Sequence, residues 1–267
     1  MSSVSDYKSR KGAASPAKVP PEILKLLNRG ELECVNLSEW LAIDGIVLLG
    51  HVNRTLGLGI DPEVLRRNPD NAKAMTLHRS IAGLLLDAGL EESRRSALSA
   101  HASDTVRGWA ALMAGQEKTS PEMKLEQLLP FAADMSMTVR ELAWMALRPD
   151  IVEDPEGWIE RLTPLAHHGD ANVRRFTSEA TRPRGVWSAH VPRLKETPSL
   201  GRGILEPLKN DPVRYVQDSV ANWLNDASKS DPEWVVSLCR RWEKESPSGA
   251  TAYIVKRALR TVSKALS

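Results

Sequence analysis

The sequence predicts an all-α protein, a right-handed α-solenoid of helical repeats. A Val-Arg pair begins an amphipathic segment at residues 106, 139 and 173, and the related pairs Val216-Gln217 and Val255-Lys256 follow. The valines are 33, 34, 43 and 39 residues apart, which is close to the period of two- or three-helix repeats. No segment alternates apolar and polar residues as a strand does. Such a stack of antiparallel helices has one concave face that suits a long ligand.

Several individual helices can be placed from their ends and spacing. Asn36 is a predicted N-cap, with Glu39 three residues further on. Apolar residues at helical spacing predict a second helix over 71–88, and 156–165 reads as the first helix of a repeat. Residues 1–20 are rich in Ser, Ala, Lys and Pro and predict a disordered basic arm, which either contacts DNA or has no role. Residues 21–267 are expected to form a single domain.

Composition excludes several classes of protein. A formal net charge of +2 means that any nucleic-acid surface must come from local clustering of cations. The cysteines, Cys34 and Cys239, are far apart, which argues against a disulfide framework and favours a reducing cytoplasm. No apolar run is long enough to span a bilayer, and the first residues lack the apolar core of a signal peptide. We therefore expect a cytoplasmic protein.

Motifs for bound cofactors are missing from the sequence. His167, His168 and Asp170 are possible metal ligands, but no further ligand follows at a suitable spacing. The chain has no glycine-rich phosphate loop, no Gly-x-Ser-x-Gly elbow and no Cys/His nucleophile arrangement. We expect neither a metal nor another cofactor.

Two carboxylates stand out because of their positions in the repeats. Glu179 lies six residues after Val173 and Asp226 lies ten after Val216, so at 100° per residue they project from neighbouring helices in similar directions. A structural alternative is open for each. Glu179 would pair with arginines on its own helix, and Asp226 would cap a following turn.

Cations and amides surround these carboxylates. A stripe of cations on a concave face would match a phosphate backbone, and an aromatic residue follows the arginines at Trp187. The cations nearest Glu179 are Arg174, Arg175, Arg182 and Arg184. The polar face that contains Asp226 also includes Asn222, Asn225 and Lys229. Further cations recur at or near the equivalent position of other repeats: Arg107, Arg140, Arg148, Arg214, Lys256 and Arg257.

Two blocks of sequence resemble a known family. They run Ser-Glu-x-Thr-Arg-Pro-Arg-x-x-Trp over 178–187 and Tyr-Val-x-x-Ser-Val-Ala-Asn-x-Leu-Asn-Asp-x-Ser-Lys over 215–229. With a third block over 36–44, they resemble the AlkC branch of the HEAT-like DNA alkylation-repair glycosylases. The resemblance implies a HEAT-like solenoid that wraps duplex DNA, which would associate the protein with the nucleoid. It also implies release of cationic N-alkylated bases such as 3-methyladenine in base excision repair, without a deep base pocket. We expect a monomer, because isolated solenoids are often monomeric.

The resemblance also assigns roles to residues. It makes Asp226 the carboxylate that faces the deoxyribose, Glu179 the second carboxylate and Trp187 an aromatic wall, with Arg182 and Arg184 on the flanking phosphates. The chain departs from the family at Trp144, where the alignment places a further glutamate. Either Glu141 replaces that acid in part, or Trp144 forms a second aromatic wall.

Three functions are compatible with these observations. A glycosylase would depend on Asp226. A non-catalytic protein for damaged or distorted DNA would bind duplex in a salt-dependent way without base release. A protein-interaction scaffold would not bind DNA, but it has no evident need for the arginines around Glu179.

Overall fold

The computed structural model describes Tyr7 and residues 9–265, and the regular elements of that part of the chain are helices. The all-α prediction is confirmed. The α-helices are α1 Pro21–Asn28, α2 Leu37–Ala42, α3 Gly45–Leu56, α4 Ala74–Asp87, α5 Glu92–Ser99, α6 Asp104–Gln116, α7 Pro121–Ala132, α8 Met137–Glu153, α9 Pro155–Leu162, α10 Ala171–Ala180, α11 Pro192–Glu196, α12 Arg202–Leu208, α13 Arg214–Ala227, α14 Pro232–Glu245, α15 Gly249–Ala258 and α16 Arg260–Ala265.

The chain divides into two compact units. The first runs to Ala146 and the second begins at Leu147, so the division falls inside α8. In a repeat array each helix packs mainly on its neighbours, so no single central core is needed to hold the chain together. In the first unit α6 packs against α4, α5 and α7; in the second, α13 packs against α10 and α15.

The apolar stripes predicted for the repeat helices are buried. Val106, Val139, Val173 and Val216 are each at most 2% exposed. The residues one and two turns further along the same helices are buried too. They include Trp109, Leu142, Phe176, Val220 and Trp223.

The residue after each of these valines holds the loop that precedes its helix. Arg107, Arg140 and Arg174 each donate from Nη1 to the carbonyl oxygen six residues earlier, over 2.8, 2.6 and 2.9 Å, and also to the next carbonyl. Gln217 donates from Nε2 to the carbonyl of Asp211, also six residues earlier, over 2.7 Å. We call this arrangement the loop clasp. Its recurrence supports the predicted repeat register.

Two clasp arginines also bind an aspartate of the next loop. Arg107 donates to both carboxylate oxygens of Asp134, over 2.9 and 3.1 Å. Arg174 makes the equivalent pair of bonds to Asp211, over 2.6 and 3.2 Å. A bidentate arginine–carboxylate contact fixes geometry as well as charge. The clasp therefore links successive repeats within a unit.

The predicted disordered arm is wrong for the part of it that the structure describes. Arg10 forms a buried ion pair with Glu39 and donates to the carbonyl of Glu33. Asn36 donates to the carbonyl of Ala13 over 2.9 Å, and Val19 is buried in the cluster around α1. A buried carboxylate needs a partner, and Arg10 supplies it. Residues 1–6 and 8 of the predicted arm lie outside the described residues.

The predicted helix ends are mostly confirmed. The Asn36 side chain accepts the backbone N–H of Glu39 over 3.0 Å, so it caps α2. The helix predicted over 71–88 is α4, and the one predicted over 156–165 begins as α9. Pro149 lies inside α8 and does not end that helix. None of the helices among the described residues combines the length and apolar composition that a bilayer crossing requires.

A buried histidine in the first unit predicts acid sensitivity. His78 accepts the indole N–H of Trp109 over 2.7 Å and stacks on Trp40. Burial lowers the pKa of His78 to about 4. Between about pH 6.5 and 4 the unfolded chain binds this proton and the folded protein does not, so stability is lost as pH falls through that window.

We expect the free energy of unfolding to fall by up to about 3 kcal/mol across that window, measured by urea unfolding at a series of pH values. His78→Gln keeps an acceptor for Trp109 but does not titrate, so its acid-dependent loss should be smaller by the same amount. An equal loss in the variant and the parent would exclude His78 as the cause.

Candidate active site: a carboxylate pair at the ends of two helices

Glu179 lies in the last turn of α10 and is buried, at 4% exposed. Its Oε1 accepts Arg182 Nη1 over 2.6 Å and its Oε2 accepts the hydroxyl of Ser219, on α13, over 2.7 Å. Arg175 Nη2 lies 3.5 Å from the same Oε2. The predicted structural pairing with arginines on either side is therefore present, and a buried hydroxyl from the next helix adds to it.

Asp226 lies in the last turn of α13 and is equally buried, at 3%. Arg182 donates to its Oδ2 from Nη2 over 2.7 Å and from Nε over 2.9 Å. Lys229 Nζ lies 3.1 Å from Oδ1. One guanidinium therefore bridges Glu179 and Asp226, which we call the carboxylate pair. The structure brings these side chains together as the helix phases predicted.

Glu179 and Arg182 stabilise each other's charged forms. Burial would raise the pKa of Glu179, but the guanidiniums of Arg175 and Arg182 and their hydrogen bonds hold it below its usual value. Burial would lower the pKa of Arg182, but Glu179 and Asp226 raise it above its usual value. Glu179 and Arg182 are thus charged at neutral pH, in a site with little water to screen them.

Arg148, on α8, holds the loop that follows α10. It is 1% exposed and donates from Nη1 to the carbonyl of Ala180 over 2.6 Å, from Nε to that of Ala189 over 2.7 Å, and from Nη2 to that of Arg182. Burial lowers its pKa to about 10, so it remains a cation at neutral pH. The predicted phosphate contact by Arg148 is therefore wrong, because its guanidinium is enclosed by backbone carbonyls.

The loop that Arg148 holds presents Trp187 and Arg184. Trp187 is 47% exposed and has a φ of 56°, in the left-handed region that non-glycine residues rarely adopt. Backbone strain of this kind often marks functional loops. Arg184 is half-buried; it donates to the hydroxyl of Ser230 over 2.9 Å and approaches the carbonyl of Asp226. The loop therefore places an aromatic face and a cation on the chain segment next to the carboxylate pair.

The remaining predicted site residues of the second unit have specific neighbours. Arg175 lies over the ring of Tyr215, with 4.1 Å between its Cζ and the ring centroid. Asn222 accepts a hydrogen bond from Arg260 over 3.0 Å. Lys229 is 42% exposed at its side chain. Of these three, Lys229 is the most open to a ligand.

Arg174 and Arg140 do not form the predicted cation stripe. Both point into loop clasps, where carbonyl oxygens and, for Arg174, the carboxylate of Asp211 take up their donors. A guanidinium used in this way has few donors left for a phosphate. The sequence pattern identified the repeat correctly, but the repeated arginine serves the loop rather than a ligand.

Trp144 does not present an open face. In the first unit it is 2% exposed, and its indole N–H donates to Glu141 Oε2 over 2.7 Å. The interpretation as a second aromatic wall is therefore wrong, because the ring is almost fully buried. Glu141 is likewise engaged by this bond.

Sequence reasoning missed the hydroxyl pair beneath Glu179. Ser178 and Ser219 are buried with their Oγ atoms 2.7 Å apart, and Ser219 bonds Glu179. Ser219 lies seven residues before Asp226, two turns earlier on one helix face, and this spacing was the available signal. Among the described residues no group of His, Cys, Asp and Glu is arranged to hold a metal ion.

We expect Arg174→Gln to lower the free energy of unfolding by about 2 kcal/mol, because it removes charge-assisted bonds to Asp211 and two carbonyls. Urea unfolding measures this loss, with the exposed Arg202→Gln as control. A loss no larger than that of the control would mean that the clasp of Arg174 does not stabilise the unit.

Comparisons with known proteins add two kinds of relative. No family model matches the chain. The uncharacterized protein YhaZ of Bacillus subtilis (strain 168) is 39% identical over 129 residues, which cover 48% of this chain and 36% of YhaZ. Among solved structures, the Pseudomonas fluorescens alkylpurine DNA glycosylase AlkC, bound to DNA containing an abasic site analog, superposes with a TM-score of 0.65 at 23% identity.

That superposition covers 82% of this chain and 62% of AlkC. The chain has the AlkC/AlkD type of fold. AlkD2 from Streptococcus mutans also superposes, with a TM-score of 0.59 at 20% identity, over 79% of this chain and 97% of AlkD2. The resemblance to the AlkC branch that the sequence predicted is therefore confirmed for the fold. The chain spans less than two thirds of the length of either AlkC or YhaZ.

Proposed function

We propose that this protein is a DNA glycosylase that removes cationic N-alkylated bases of the 3-methyladenine type from duplex DNA. The observation that carries the proposal is that the two buried acids of the carboxylate pair lie next to a loop that exposes Trp187. The protein acts in base excision repair, and it does so without drawing the damaged base into a deep pocket. The fold shared with AlkC and AlkD2 supports this assignment.

The chemistry that such a site performs is cleavage of the N-glycosidic bond. The bond between C1′ and the alkylated base breaks, and its electron pair goes to the base and neutralises that base's positive charge. Positive charge then develops on the deoxyribose. A carboxylate held in a water-poor site stabilises that charge. Water adds to C1′ and loses a proton, which leaves an abasic site and a free base.

Residue roles follow from the positions in the cluster. Asp226 faces the sugar, because its contact Lys229 is a long, exposed side chain that can turn to phosphate. Glu179 is fixed by Ser219 and holds Arg182 in place. Trp187 covers the cationic base through cation–π attraction. Arg184 and Lys229, with Arg182, bind the flanking phosphates of the duplex.

A second candidate function is binding to damaged or distorted duplex without catalysis. It is favoured by one observation: in this structure Arg182 already neutralises both members of the carboxylate pair. A pair that stayed neutralised when DNA bound would offer little to a developing sugar cation. This alternative predicts duplex binding that weakens with salt, with no release of bases.

The test is release of free methylated bases from N-methylated duplex DNA, run beside duplex binding at several salt concentrations. Release of 3-methyladenine supports the glycosylase. Binding without release supports the second candidate. Absence of both, even at low salt, would overturn both and leave a protein-interaction scaffold.

A further inference from the structure

A cleft in the second unit lies next to the carboxylate pair but is separate from it. It has a volume of about 820 Å³ and lies between α14 and α16, and Ser228 is part of its lining. Val236 and Val262 provide apolar surface, and the lining also includes Ser237 and Thr261. Neither the predicted site residues nor the proposed function uses this cleft.

The cleft carries cations that are not engaged elsewhere. Arg240 and Lys244 are exposed and lie four residues apart, so they stand one above the other on α14. Within the part of the chain that the structure describes, neither makes an ion pair or a hydrogen bond through its side chain. Arg241, beside them, is occupied by Glu206. Glu233 also lines the cleft, but it lies seven residues before Arg240, about 10 Å along the helix.

The cleft and the carboxylate pair share the end of one helix. Asn225 donates to Thr261 Oγ1 over 2.9 Å and to the carbonyl of Ala258, which anchors the start of α16 to α13. Asp226 is the next residue, and Ser228 follows two residues later. The cleft and the carboxylate pair therefore lie at the same end of α13.

We propose that this cleft binds the sugar–phosphate backbone of the duplex beyond the damaged nucleotide. Arg240 and Lys244 contact successive phosphates, and the apolar surface of Val236 and Val262 packs against deoxyribose. The sugar–phosphate backbone alternates charged phosphates with less polar sugars, and the cleft likewise combines cations with valine side chains. The inference rests on the proposed function, because it uses DNA as the ligand of the neighbouring site.

The experiment compares the parent protein with Arg240→Gln/Lys244→Gln in duplex binding across a range of salt concentrations. Loss of two phosphate contacts should reduce the slope of log K against log salt by roughly 2. The matched control is Lys25→Gln/Arg29→Gln, which removes the same charges at the same spacing from exposed positions around α1. The control should keep the parent slope.

Duplex length localises the contact. A duplex with the lesion near one end lacks the phosphates beyond the lesion on that side. When that side is the one that would reach the cleft, the parent and the cleft variant should bind the duplex equally. A lesion at the centre should restore the difference. Equal slopes for parent and cleft variant on the long duplex, or equal slope losses in variant and control, would overturn the cleft proposal alone. A parent protein that binds no duplex would overturn the proposed function, and the cleft proposal with it.

Discussion

Replacement of Asp226 by asparagine is expected to lower the single-turnover rate of base release by about 10²- to 10³-fold. The substitution removes the negative charge next to the developing sugar cation and keeps the volume and shape of the side chain. Duplex affinity should fall little, because the variant loses an anion rather than a phosphate contact. Glu179 keeps its bond to Ser219, so a link between α10 and α13 survives in the variant.

The measurement is release of methylated base with protein in excess over N-methylated duplex, with binding followed separately. Glu243→Gln is the control, since it removes an exposed carboxylate from α14 in the same unit. A thermal melt of each variant distinguishes lost chemistry from lost folding. An unchanged rate in Asp226→Asn would remove Asp226 from the mechanism, whatever the affinity for DNA.

Features that depend on spacing within a helix could be predicted from the sequence. The intervals between Val106, Val139 and Val173 identified the repeat, and the register was correct at each. The convergence of Glu179 and Asp226 followed from the same arithmetic, because helices that share a register present equivalent angles. Residues fixed by local geometry can be placed without coordinates.

Features that depend on loops or distant segments could not be predicted in this way. The arginine stripe was wrong for Arg140 and Arg174, because helix phase says nothing of the carbonyls that a preceding loop turns toward the helix. Arg10 pairs with Glu39, 29 residues away, which no local pattern reveals. The burial of Trp144 likewise depends on neighbours that periodicity does not name.

Arg148 is the case in which sequence and structure differ most, and it carries the second large prediction. As part of an Arg-Pro pair among other arginines, it read as a phosphate contact. The structure shows a buried cation whose bonds to carbonyls at Ala180, Arg182 and Ala189 define the loop that presents Trp187. Its role in DNA repair, under the proposed function, is to position that loop.

We expect Arg148→Ala to lower the free energy of unfolding by about 4 kcal/mol, because it leaves three carbonyls without their charged donor and opens a cavity. Arg148→Lys should recover part of this loss, since it keeps the charge but not the fork of donors. Base release should fall in both variants, because Trp187 and Arg184 lose their fixed positions.

Local loosening of the loop can be separated from general instability by trypsin. The bond after Arg182 precedes a proline, so the Arg184–Gly185 bond is the susceptible one in this loop. Its cleavage under native conditions, followed by mass spectrometry, should rise in Arg148→Ala. It should not rise in Arg174→Gln, which is also destabilised but keeps the contacts of Arg148. Equal cleavage in the two variants would mean that Arg148 stabilises the unit without holding the loop. Since Arg182 lies on that loop and bridges the carboxylate pair, loosening it should also weaken the link between α10 and α13.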